Sequence, residues 1–89
     1  MELNYSILPA HMRDAARDYV ERGFRPGGFL TAVLSNDFQD ALGRADDINR
    51  GCLLEWAEWV HWNCPSAAQG SPEKVKAWIE RGGLRGKPE

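Results

Sequence analysis

Long apolar runs are missing from this chain: no stretch reaches the roughly 18 consecutive apolar residues that suggest a membrane span. Cysteine is scarce, with only Cys52 and Cys64, and histidine is limited to His11 and His61. No CxxC or HxxxH pair is formed, so these four residues give no zinc-site spacing. An excess of positive charge is also missing. The net charge is −2, which gives no footprint for non-specific nucleic-acid binding. The opening MELNYSILPA has neither a basic start nor the apolar length of a signal peptide. The expected location is therefore the cytoplasm, with both thiols reduced. Ser35 and Ser66 lack a triad context, nothing orients His61 as a base, and Glu55 and Glu58 read as solvated or paired, so the chain is expected not to be an enzyme and to carry no cofactor or metal.

What is present is a short chain with ordinary globular composition. It has 89 residues, of which 43% are hydrophobic and 27% charged, enough for one small core and too apolar for disorder. Basic residues are mostly arginine, which suits bidentate contacts to carboxylates and phosphates.

Hydrophobic spacing divides the chain into helices. Residues 1–8 read as irregular, with Ile7 and Leu8 packing back on the core. The first helix is expected from Pro9 to Arg22, with Met12, Ala15, Ala16, Tyr19 and Val20 on one face and Gly23 ending it. Pro26-Gly27-Gly28 forms a loop. The run from Phe29 to Ser35 is too short for periodicity to separate strand from helix. Helix is preferred, because no second strand-like segment exists to pair with it. Ser35 or Asn36 is expected to cap a short helix over DFQDAL, with Asp37 and Asp40 in its first turn and Gly43 interrupting.

A helix then restarts at Ala45-Asp46-Asp47 and reaches Asn63, with Ile48, Cys52, Trp56, Trp59 and Val60 on one broad face. Trp56, Trp59 and Trp62 drift over an arc of about 120°, so one core face can hide two of them and Trp62 should reach an edge. The last helix is the clearest: Ser71 caps, Pro72 follows, and Gly82-Gly83 closes it, leaving residues 84–89 as a frayed tail. The sum is an all-α fold, a compact bundle of four to five short helices in a single domain over residues 1–89.

Two groups of residues suggest chemistry. The Gly27-Gly28 loop, flanked by Arg25 and approachable by Arg44, could admit a phosphate to bare backbone; it could equally just turn the chain. Asn36, Asp37, Asp40, Arg44, Asp46, Asp47, Asn49 and Arg50 form a dense polar set. Its acids match no calcium-loop spacing and stand where helix starts favour acids, so an Arg44–Asp pair tying two helix junctions together is the expected structural use. Its amides and carboxylates could instead read ribose hydroxyls or a base edge, with an exposed Trp62 as a stacking platform or partner surface.

The segments LPAHMRDAARDYVERGFRPGGFLTAVLSNDFQDALGRADDINRG and GSPEKVKAWIERGG together resemble a family of small proteins encoded by bacteriophages and prophages. The resemblance covers about Leu8 to Gly82. It falls on Pro26, Gly27, Gly28, Phe29, Leu30, Asn36, Asp37, Arg44, Asp46 and Asn49, and Trp62-Asn63 stands where the family usually has Tyr-Asn. It implies a non-enzymatic protein in the cytoplasm of a bacterial host, acting by stoichiometric binding as a homo-oligomer. One expected partner is a nucleotide-like small molecule, a host defence signal sequestered by Arg25, Gly27, Gly28, Asn36, Asp37, Arg44, Asp46, Asn49 and Trp62. The alternatives are a host protein, such as a CRISPR effector, or a structural or accessory phage role.

Overall fold

Six α-helices and two short 3-10 turns account for the regular structure among the described residues, with no strand. The computed structural model describes residues 3–86. The all-α class stands. The number of helices exceeds the expected four or five, because one expected helix is divided in two. The radius of gyration, 12.1 Å, is the roughly 12 Å expected of a compact chain of this length.

The N-terminal segment contributes more to the core than its irregular backbone suggests. Tyr5 and Leu8 are buried, whereas Ile7, expected inside, is 38% exposed. Pro9 precedes the first helix instead of starting it: its ψ of 143° is extended, and a 3-10 turn over Ala10–Met12 leads into α1 (Arg13–Arg22). Ala16, Tyr19 and Val20 are the buried face of α1, as the spacing requires. Gly23 ends the helix in the left-handed region, at φ 71°.

The short apolar run is helical. α2 (Gly28–Leu34) buries Phe29, Leu30, Ala32, Val33 and Leu34 and packs against α3 (Phe38–Arg44) as an antiparallel hairpin. The Asn-Asp step between them performs two terminal jobs. Asn36 takes φ 64° while its N–H bonds the Val33 carbonyl at 3.2 Å, and the Asp37 N–H bonds the Ala32 carbonyl at 2.9 Å. That pair of bonds is a Schellman motif, with Asn36 in the left-handed position usually taken by glycine. Asp37, expected inside the next helix, is its cap: Oδ1 accepts the Asp40 N–H at 3.1 Å. Gly43, expected to interrupt, lies within α3.

The expected helix from Ala45 to Asn63 breaks at Gly51-Cys52 into α4 (Asp47–Arg50) and α5 (Leu53–Trp62). The break has a specific cause. The Gly51 N–H is shared between the Asp47 and Ile48 carbonyls, and the Cys52 N–H bonds Asn49, a tightening that ends the α-helical ladder. The kink brings Asn49 Oδ1 to within 3.1 Å of Trp56 Nε1 in the core. It also turns Ile48 outward, 60% exposed, off the face expected for it. Trp56 and Trp59 are fully buried and Trp62 is 76% exposed, the division expected for a three-residue repeat.

After a 3-10 turn over Ser66–Ala68, Ser71 caps α6 (Pro72–Arg81) by accepting the Lys74 N–H at 3.2 Å. α6 completes the core with Val75 and Trp78 and closes the end of α1. Trp78 Nε1 donates to the Tyr19 and Val20 carbonyls at 3.0 and 3.2 Å. The Leu84 and Arg85 N–H groups bond the Val20 and Glu21 carbonyls at 2.9 and 3.0 Å. These are among the last carbonyls of α1, which have no partner inside their own helix. Leu84 and Arg85 are thus tied down, contrary to the frayed tail expected; residues 87–89 lie outside the described residues.

Candidate functional site

Two of the singled-out residues touch. Gly28 starts α2 and Arg44 ends α3, so the antiparallel hairpin brings them side by side. A Cβ on Gly28 would stand 2.8 Å from Arg44 Nη1 and 3.3 Å from its Cδ. The guanidinium therefore lies directly on bare backbone, in space that a side chain at position 28 would occupy. Asp40, one turn earlier in α3, holds it there: Arg44 Nε is 3.0 Å from each carboxylate oxygen. Arg44 does pair with an aspartate, but within one helix and not across two helix junctions as expected. The Arg44 side chain remains 57% exposed. Gly27 and Arg25 precede it on the surface. Gly27 is an N-cap without a capping side chain, and Arg25 forms no ion pair among the described residues.

The other expected site residues are placed elsewhere or already occupied. Asn49 is 3% exposed, and its side-chain oxygen is committed to Trp56, so it is a core residue and leaves the candidate site. Asp46 caps α4, accepting the Asn49 N–H at 2.7 Å, and pairs with His11 Nε2 at 2.9 Å. Those two contacts, the backbone one foremost, hold its carboxyl below the usual carboxylate range. Asn36 and Asp37 are used by the α2–α3 turn, although their side chains remain exposed. Trp62 stands at the end of α5, edge-on to His61 with ring centroids 4.5 Å apart.

Burial pushes the Cys64 thiol up to about 12 and also raises Cys52, with Glu55 adding to the latter, so both favour the thiol form. Among the described residues no three histidine, cysteine or acidic side chains cluster closely enough to hold a metal ion. Among the described residues no helix is long and apolar enough to cross a membrane.

A concavity that the sequence does not announce lies at the closed end of the hairpin. It measures about 200 Å³. Val33, Ala57 and Val60 form its apolar floor, Phe38 and His61 its aromatic sides, and Asn36 and Gln69 its polar rim. These residues come from separate segments brought together by packing, so no local spacing marks them. It does not include Gly28 or Arg44, which sit at the open end of the hairpin.

Comparison of the chain with protein-family models, curated protein sequences and solved structures gave no match.

Proposed function

We propose that this is a small, non-enzymatic phage-type protein of the bacterial cytoplasm that binds a nucleotide-like defence signal stoichiometrically and so withdraws it. The reading rests chiefly on one observation: an exposed guanidinium that lies beside glycine backbone and is bonded by its neighbour Asp40. Such a fork accepts a phosphate in bidentate fashion, and the missing side chain at position 28 lets the ligand approach the main chain. Arg25 and Gly27 extend the same surface. Of the other residues named from sequence, Asn36 and Asp37, at the opposite end of the hairpin, and Asn49, in the core, have no part in it.

A second reading, a protein partner or further copies of this chain, draws on a different observation. Ile48, Leu54 and Trp62 are 60, 67 and 76% exposed, an unusual amount of apolar surface for α4 and α5 of so small a domain. Self-association through this surface is compatible with signal binding, since sequestering proteins can build their sites from several subunits.

The test is a thermal-shift and calorimetric titration with ADP-ribose and with an adenine-containing cyclic dinucleotide. At a hundredfold excess over the dissociation constant, stabilisation of about 2.7 kcal/mol is expected. Arg44→Ala should abolish it with the fold intact. If neither nucleotide shifts the wild type and a host protein is recovered in stoichiometric complex, the second reading replaces the first.

A further inference from the structure

We infer that the groove at the closed end of the α2–α3 hairpin is a second binding site, one that takes an uncharged fused heteroaromatic ring. The size supports this first. An apolar cavity of about 150 Å³ accepts a benzene ring. This groove, at about 200 Å³, has room for a bicyclic ring but falls short of the roughly 300 Å³ at which drug-sized sites begin.

The lining sets the chemistry. Ala57 puts only a methyl group on the floor, between helical turns that carry Trp56 and Trp59 inward. Phe38, 45% exposed, supplies an aromatic face that the fold leaves uncovered. Asn36 and Gln69 each present both an amide donor and a carbonyl acceptor, the pattern that reads the edge of a planar heterocycle. No arginine, lysine or carboxylate lines the groove, and His61 is its one ionisable side chain, so the lining lacks the guanidinium fork that marks the Arg44 surface. That separates it from the Arg44 surface, and the inference does not depend on the function proposed for that surface.

The experiment is an amide-resolved NMR titration of the full chain with adenine and, in parallel, with indole, each to millimolar concentration. Saturable shifts are expected at Asn36, Phe38, His61 and Gln69. Tighter binding of adenine would identify the source as a nucleobase, and tighter binding of indole a tryptophan-like metabolite. Ala57→Leu fills the floor and should weaken binding by about tenfold or more. Phe38→Ala, at an exposed position that the fold tolerates, removes the stacking face and should weaken it by about tenfold. Arg44→Ala should leave binding unchanged. Absence of saturable shifts at these four residues with both rings, or wild-type affinity in both the Ala57 and Phe38 variants, would overturn the inference.

Discussion

Gly23 and Gly83 meet backbone against backbone. A Cβ on Gly83 would fall 2.5 Å from the Gly23 nitrogen, and one on Gly23 would fall 2.7 Å from the Gly83 nitrogen. Both residues have left-handed dihedrals, φ 71° and 73°. The C-terminal ends of α1 and α6 can approach this closely only because neither position carries a side chain, and the approach lets Leu84 and Arg85 reach the open carbonyls of α1. Gly83→Ala should therefore combine left-handed strain with a backbone clash and cost about 3 kcal/mol. Gly27→Ala, where nothing lies within 4 Å of the added carbon, should be close to neutral. Urea unfolding midpoints of the two variants test the contrast.

The Gly28–Arg44 contact predicts a separation of stability from binding. An added methyl at position 28 displaces the far end of a flexible side chain, which is cheap, and alanine favours helix. Gly28→Ala should keep stability within about 0.5 kcal/mol of wild type, yet weaken nucleotide binding by moving the guanidinium. Equal binding by wild type and Gly28→Ala in calorimetry would mean that the bare backbone plays no part in recognition.

Asn49 should behave as a core residue. Removing its amide strands the buried Trp56 indole N–H. Asn49→Ala is expected to cost about 2–3 kcal/mol, whereas Arg44→Ala, at an exposed ion pair, should cost under about 1 kcal/mol. Denaturant melts of both variants rank the two residues directly.

Alkaline pH should unfold the protein through its buried tyrosines. Burial, with the Glu21 carboxylate second, pushes Tyr5 from 10.0 up to about 12, and burial raises Tyr19 as well. Above pH 10 the unfolded chain loses these protons first. The stabilisation is therefore complete below the ordinary tyrosine value and disappears as pH climbs through the folded-state value. Cys64 acts with the same sign between 9.0 and about 12. Urea midpoints followed against tyrosinate absorbance should fall across this range, and Tyr5→Phe should flatten part of the slope.

Trp62 should matter to association and not to folding. Its indole is 76% exposed, so Trp62→Ala should change stability by no more than about 0.5 kcal/mol. If α5 forms a contact between copies, sedimentation velocity will show the wild type sedimenting faster than this variant at equal concentration.

Much of the helical framework is legible in local sequence, because the bonds that start and stop helices link residues only a few positions apart. Ser71 before Pro72, Gly23 after Arg22, and the spacing of Ala16, Tyr19 and Val20 act within one or two turns. The two-in, one-out division of the tryptophans at positions 56, 59 and 62 likewise follows from helical geometry alone. The break at Gly51-Cys52 does not. There the apolar period runs on, yet the backbone tightens, and the break accompanies a buried amide bonded to a buried indole seven residues away.

The candidate sites divide in the same way. The sequence determined the all-α class, the core face of α1, the ends of α6, and the polar residues available around Arg44. Only tertiary packing decided that Arg44 lies on Gly28, that Asn49 is withdrawn into the core, and that Val33, Phe38, Ala57 and Gln69 enclose a groove. The physical reason is range: capping and periodicity are settled within a turn of helix, whereas a concavity exists only where segments distant along the chain are held together by the apolar surface they jointly bury.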